Sequence, residues 1–305
     1  MKRCLKILNL KNTRRRKMSA QVLSGKVVAQ AIKDQCKADA EALRAKGIVP
    51  KLGIVRVGAK DNDLSYERGA KKTLEAAGVD VEVFEMPADV TQEDFDKTLT
   101  KVNDDPSING ILMFLPLPKP LDEKRARNML KPEKDIDGAT TGSQAGVYAG
   151  KDLGFPPCTA QASMEILNYY NIPLKGKKAA VIGRSLVIGR PVAMMLMNAN
   201  ATVTICHTKT VDVPSITREA DVVIAASGQM ESVGPEYVSE GQTVIDVGIS
   251  WNDAKGKLCG DVDFDKVEPI VGAITPVPGG VGSVTTAVLC KHVIKACKDQ
   301  NGITD

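Results

Sequence analysis

The apolar positions of this chain fall into two successive series of strands and helices. Between residues 19 and 46, Val22, Val27, Val28, Ala31, Ile32 and Cys36 recur every three to four positions, the period of an amphipathic helix. The run KLGIVRVG (51–58) predicts a short apolar strand. Residues 64–77 predict a helix stopped by Gly78, and the alternating VDVEVFEMP (79–87) predicts a second strand. Thr91 followed by Asp94 marks the start of a helix running to about Val102. INGILMFLPLP (108–118) reads as a buried strand ended by prolines. This β-α-β-α-β order is that of a parallel sheet layered with helices.

A second series begins later. KAAVIG (178–183), ATVTIC (201–206), DVVIAAS (221–227) and TVIDVGI (243–249) predict strands with helices between them, the spacing of a doubly wound nucleotide-binding unit. A helix over 159–171, capped by Thr159, bridges the two series. A last helix, about 284–299, packs back on the first. The expected fold is α/β with two domains: an N-terminal layered α/β domain over 18–155, rejoined by the C-terminal segment 284–305, and a Rossmann-like doubly wound domain over 156–283, with a cleft between them. A length of 305 residues suits two domains. No repeat or low-complexity linker interrupts the chain, so the domains are expected to be tightly joined.

Charge alters the picture only at the N-terminus. Residues 1–17 (MKRCLKILNLKNTRRRK) carry eight of the 41 basic residues and no acid, leaving 33 basic against 37 acidic residues. The body is therefore mildly acidic and shows no nucleic-acid footprint. The basic segment has three readings: extra sequence ahead of a start at Met18, a targeting peptide, or a nucleic-acid arm. The first predicts that it contributes nothing to fold or activity. The seven cysteines include no C-x-x-C pair, so neither a metal site nor a disulfide framework is indicated, and free thiols suit a reducing cytoplasm. The apolar runs fall well short of the roughly 20 residues a membrane span needs.

The chemistry is concentrated in two loops. AAVIGRSLVIGRP (179–191) is an apolar strand, a Gly-punctuated turn and a helix start, where backbone N–H groups and the helix dipole hold a phosphate. Gly183 and Gly189 stand six apart, which is not the G-x-G-x-x-G spacing, and close packing in any α/β fold would also use such glycines. The next strand ends Cys206-His207-Thr208-Lys209, with no acid to hold a ribose hydroxyl. Arg184 and Ser185 are placed instead to cradle a 2′-phosphate, which favours NADP and leaves NAD open. His207 reads as a cofactor-contact or structural residue, and His292 as surface or packing. Thr208, Ser227, Gly228, Gly248 and Ile249, at the strand ends, complete the candidate cofactor set. The second loop, TPVPGGVG (275–282), is rigid and sharply turning.

With Tyr66 on its helix, LPLP (115–118), PEKDIDG (132–138), PCTA (157–160), GRSLVIGRP (183–191), ATVTICH (201–207) and TPVPGGVG (275–282), the chain resembles the methylenetetrahydrofolate dehydrogenase/cyclohydrolase family from Met18 nearly to its end. The resemblance implies a homodimer acting on tetrahydrofolate derivatives, with a catalytic N-terminal domain, a C-terminal NAD(P) domain and folate in the cleft. It implies that Tyr66 lies against the folate rings and that Asp137 accepts hydrogen bonds from the pterin, these two forming the catalytic set. Leu115, Pro116, Pro276, Gly279 and Gly280 would line the pocket. The bland reading of Asp137 is a helix-capping or turn residue before Gly138. Ser283 stands where many relatives have proline. Two departures matter more. Bifunctional relatives place a lysine one helical turn after the tyrosine and a glutamine before LPLP, whereas this chain has Ala70 and Phe114. Lys71 is rotated by about 100° around the helix and reads, with Lys72, as a solvated face or as a weak partner for folate's glutamate tail rather than as a catalyst.

Oxidising the methylene bridge of 5,10-methylenetetrahydrofolate expels a hydride from a carbon between two nitrogens whose lone pairs stabilise the cation left behind. That step is largely positioning. Hydrolysing the methenyl cation needs polar groups to activate water. The expectation is a dehydrogenase with weak or absent cyclohydrolase activity. The alternatives are a bifunctional enzyme that also makes 10-formyltetrahydrofolate, and a non-catalytic folate- or nucleotide-binding protein.

Overall fold

The structure, a computed structural model, describes residues 19–303. The basic segment 1–17 and Met18 lie outside the described residues. The chain begins with β1 (Gln21–Val22) and α1 (Gly25–Ala45), then alternates through β2 (Lys51–Val57), α2 (Asp61–Ala76), β3 (Asp80–Met86), α3 (Gln92–Asp104) and β4 (Gly110–Met113). Short helices α4 (Glu123–Met129) and α5 (Thr141–Ala149) lead to α6 (Cys158–Tyr169). The second series follows as β5 (Lys178–Ile182), α7 (Gly189–Asn198), β6 (Thr202–Cys206), α8 (Val213–Arg218), β7 (Val222–Ala225) and β8 (Thr243–Asp246). A hairpin of β9 (Ser250–Asn252) and β10 (Lys257–Cys259), then α9 (Phe264–Val267), β11 (Ala273–Ile274) and α10 (Thr285–Gln300), complete it.

Apart from the antiparallel β9–β10 pair, the strands form two parallel sheets. The first has the order β3-β2-β4, with β2 in the centre. From Leu52 to Val57 β2 is buried throughout, as a strand covered on both faces must be. The second sheet runs β1-β11-β8-β7-β5-β6, so the strand order reverses between β5 and β7, the topological switch point where such sheets bind ligands. The α/β, doubly wound expectation holds.

Three local expectations need correction. The first helix starts at Gly25 rather than near Ser19, because Gln21 and Val22 pair with Ala273 and Ile274 and extend the second sheet. Gly25 is fixed there because a Cβ would lie 2.0 Å from the carbonyl oxygen of Gly280. β4 covers only four residues, since Pro116 and Pro118 supply no backbone donor to continue it. The helix expected from Thr159 starts at Cys158 with Pro157 as its cap residue, and its first N–H is taken by a side chain described below. The β9–β10 hairpin had no periodic signal. By contrast, Thr91 caps α3 as read, accepting a hydrogen bond from the Asp94 N–H at 3.1 Å.

Helix α10 returns to pack along α1 and α6, and Cys290, Val293, Ala296 and Cys297 are buried there. Strand β1 and helix α10 thus carry chain from each end across to the other half. No helix among the described residues is long and apolar enough to cross a membrane.

Candidate active site

The first wall of the site is built from side chains. Tyr66, on α2, is 42% exposed and tilts its ring against Phe114, with centroids 5.7 Å apart. Phe114 follows β4, its N–H held by the Val55 carbonyl, and the chain then turns through the cis Leu115–Pro116 bond. Ala70, one turn after Tyr66, is 1% exposed. Lys71 faces solvent and pairs with Glu75 at 3.7 Å, as its rotation around the helix predicts. Under this helix lies Arg56, buried and held by Glu67 (2.7 Å) and Glu85 (3.1 Å). This ties α2 to the sheet, and the sequence reading missed it because a buried arginine has no periodic signature.

The two aspartates of Asp135-Ile136-Asp137 have different surroundings. Asp135 is 1% exposed and accepts from the N–H groups of Ala139 and Thr140 and from the Ser143 hydroxyl, fixing the turn into α5. Asp137 is half-buried, and its Oδ1 accepts from the Cys158 N–H at 3.2 Å, at the start of α6. The capping geometry weighed for Asp137 is therefore present. Desolvation raises the Asp137 pKa despite the hydrogen bonds from Cys158. The Tyr66 hydroxyl is likewise pushed up, first by desolvation and then by the charge of Asp137. Tyr66, Phe114 and Asp137 come together as an aromatic surface edged by one carboxylate, an acceptor for paired N–H donors.

The second wall is backbone. The residues read from the sequence as cofactor contacts, 183–189, 207–208, 227–228 and 248–249, all follow the carboxyl ends of β5, β6, β7 and β8. At the switch point a Cβ on Gly183 would lie 2.1 Å from the Ala226 carbonyl oxygen, and one on Gly189 2.2 Å from the Gly183 carbonyl oxygen. Gly183 also has φ +123°. Only glycine lets these turns close so near one another. Ser185 Oγ accepts from Ile188 N–H at 3.1 Å, so it shapes the turn while its own proton remains available to donate. Arg184 is exposed, with no ion pair among the described residues. His207 Nδ1 accepts from the Lys209 N–H at 3.1 Å, so its Nε2 carries the proton.

A buried acid pair supports this wall. Asp246, at the end of β8, is 3% exposed and accepts from the N–H groups of Gly248, Asp261 and Val262. Desolvation nevertheless raises its pKa to about 7. Asp261 accepts from the Gly228 N–H at 2.8 Å, and a Cβ on Gly248 would lie 2.2 Å from its other oxygen. Asp261 thus joins the loop after β7, through the Gly228 N–H, to Asp246 at the end of β8, through its own N–H. Sequence reading missed both acids, which look like ordinary polar loop positions. Thr275 Oγ1 accepts from the Asp246 N–H at 2.7 Å and anchors the Pro-Gly loop to the same strand. In that loop Val277–Pro278 is cis, Gly279 has φ +101° and its carbonyl accepts from the Gly25 N–H. Pro276, Gly279 and Gly280 thus lie on the link from β11 of the second sheet to α10, a loop held to β8 through Thr275 and to the start of α1 through Gly25. Ser283 closes a short turn by donating its N–H to Gly280. Among the described residues no group of three or more His, Cys, Asp and Glu is placed to hold a metal.

Two family models match the sequence: the tetrahydrofolate dehydrogenase/cyclohydrolase catalytic domain over residues 23–137, and the NAD(P)-binding domain of the same family over 157–301. The chain is 59% identical over 285 residues to the bifunctional protein FolD of Carboxydothermus hydrogenoformans, covering 93% of this chain and 99% of that one. The bifunctional FolD dehydrogenase/cyclohydrolase structure from Campylobacter jejuni is 37% identical with a TM-score of 0.89, covering 92% and 99%. The Trypanosoma brucei methylenetetrahydrofolate dehydrogenase-cyclohydrolase, solved with NADP and an inhibitor, is 35% identical with a TM-score of 0.85, covering 92% and 98%.

Proposed function

The chain belongs to the tetrahydrofolate dehydrogenase/cyclohydrolase family, and from that membership we propose that it oxidises 5,10-methylenetetrahydrofolate to the methenyl form by hydride transfer to NADP. The observation that carries the reading is the pairing of an aromatic, carboxylate-edged wall at Tyr66 and Asp137 with a glycine-built phosphate wall at Gly183 and Gly189. In this reading the pterin lies on Tyr66, its amino and ring N–H groups donate to Asp137, and Leu115, Pro116, Pro276, Gly279 and Gly280 enclose it. The dinucleotide spans the ends of β5–β8, with Arg184 and Ser185 at the 2′-phosphate and His207, Thr208, Ser227, Gly228, Gly248 and Ile249 along its length. The bound dinucleotide accepts the hydride. The protein holds the two reactants at contact distance and keeps water out. We divide the chain at 155/156, with 284–305 returning to the first domain, and place the enzyme in the cytoplasm as a homodimer, since its described cysteines are all free and buried and the family resemblance implies the dimer.

Two readings of the second activity stand. The relatives named bifunctional favour an enzyme that also hydrolyses the methenyl product, and they are the stronger support. Against them stand Ala70, buried and apolar, and Phe114, a ring turned onto Tyr66, where hydrolysis calls for an amine and an amide. These two side chains carry the reading that hydrolysis is slow. The purified chain, assayed with NADP and with NAD, is expected to prefer NADP, and the decay of methenyltetrahydrofolate then separates the two. Decay at the buffer rate supports the slow-hydrolysis reading. Enzyme-accelerated decay establishes the bifunctional one, and Phe114→Gln with Ala70→Lys tests whether the missing groups limit it.

A further inference from the structure

We propose that His292, on the last helix, is a positioning residue that sets Asp137 for pterin recognition by holding the Ile136 carbonyl, an inference that rests on the folate reading of Asp137. His292 is 156 residues away in the chain and reaches the site only because α10 packs back on α6. It is 5% exposed, and its Nδ1 lies 2.8 Å from the Ile136 carbonyl oxygen. A carbonyl only accepts, so Nδ1 carries the proton and donates. Burial lowers the imidazole pKa to about 4, which keeps it neutral and in that donor role. The ring is further fixed by Phe155, with centroids 5.1 Å apart.

The Ile136 carbonyl belongs to the peptide unit that leads into Asp137, so fixing it fixes the backbone from which the carboxylate projects. Cys158 assists from α6: its thiol donates to the same carbonyl at 3.4 Å, while its N–H donates to Asp137 Oδ1. The other side of the turn is closed by Gly138, where a Cβ would lie 2.5 Å from the Pro157 nitrogen. Asp137 therefore sits on a turn clamped from α6, from the 155–157 segment and from α10. Of these clamps, His292 alone comes from the helix that follows the Pro-Gly loop. No hydrogen bond or ion pair links it to the cofactor wall among the described residues. A role confined to folate follows.

The experiment compares His292→Leu, His292→Asn and His292→Gln by KM for methylenetetrahydrofolate, kcat, NADPH affinity and melting temperature, with Asp137→Ala as reference. Asparagine keeps a donor near the Nδ1 position, and glutamine carries it one bond further out. Expected is a loss of about tenfold in kcat/KM for folate in His292→Leu, from one misplaced hydrogen-bonding group, with NADPH affinity within about twofold of wild type. His292→Asn should recover most of the loss and exceed His292→Gln. If His292→Leu does not fold, the order of Asn over Gln on folate KM decides. Equal losses for folate and NADPH, equal behaviour of Asn and Gln, or no change in any variant overturns the proposal. An unchanged folate KM and rate in Asp137→Ala overturns the site reading beneath it.

Discussion

The two walls of the site use opposite means. The wall proposed for the cofactor is made of main chain, its shape fixed by glycines at 183 and 189 and supported by Asp246 and Asp261. The wall proposed for folate is made of side chains, Tyr66, Phe114 and Asp137, set on a helix, a strand end and a clamped turn. A backbone wall tolerates side-chain exchange around it but no added Cβ. A side-chain wall keeps its fold under substitution and loses chemistry one group at a time. The departures at Ala70 and Phe114 both fall on the side-chain wall, where a residue can change without disturbing the architecture.

The largest effect is expected on the backbone wall. Gly183→Ala places a Cβ against the Ala226 carbonyl at a φ only glycine accepts readily, a cost on the order of 3 kcal/mol or more. NADPH titration by fluorescence should show binding lost or weakened beyond a hundredfold, and retained wild-type affinity would break the comparison. On the side-chain wall, Asp137→Ala removes the acceptor for charge-assisted pterin hydrogen bonds, each worth about 1.5–3 kcal/mol. Steady-state kinetics should give a roughly hundredfold fall in kcat/KM for folate, with NADPH affinity unchanged.

How much of this was legible from residues alone follows the same division. Apolar runs and glycines announced the sheets, the switch-point turn and the Pro-Gly loop, because periodicity and φ requirements are local properties. β1 was invisible, since two residues carry no period and only their partners in β11 make them a strand. Asp246, Asp261, Arg56 and His292 were passed over or read as packing, because their roles depend on burial and on partners far along the chain. Asp137 stands out in the sequence through its motif, whereas its bond to the Cys158 N–H, 21 residues on, has no local signal.

Two smaller effects sharpen the comparison. The unfolded chain binds a proton at His292 near the ordinary pH 6.5, whereas the folded one resists until about 4. The stability it contributes is therefore fully present above pH 6.5 and falls as the pH drops toward 4, by at most about 3 kcal/mol. Thermal melts in that window should show the loss, flattened in His292→Asn; an identical pH slope in the variant would count against the buried neutral imidazole. Arg184→Ala should weaken NADP by about ten- to a hundredfold, the worth of one charged phosphate contact, and NAD far less. Equal effects on both dinucleotides would remove Arg184 from the 2′-phosphate.

The central claim is that these two walls together perform hydride transfer, and single-turnover mixing tests it most directly. Enzyme in excess is combined with 5,10-methylenetetrahydrofolate and NADP, and NADPH fluorescence is followed. The account predicts one NADPH and one methenyltetrahydrofolate formed per folate consumed, with no NADPH in the Asp137→Ala protein on the same timescale. Tight binding of both ligands with no reduced dinucleotide, from NADP or from NAD, would contradict it and leave a binding protein in place of an enzyme.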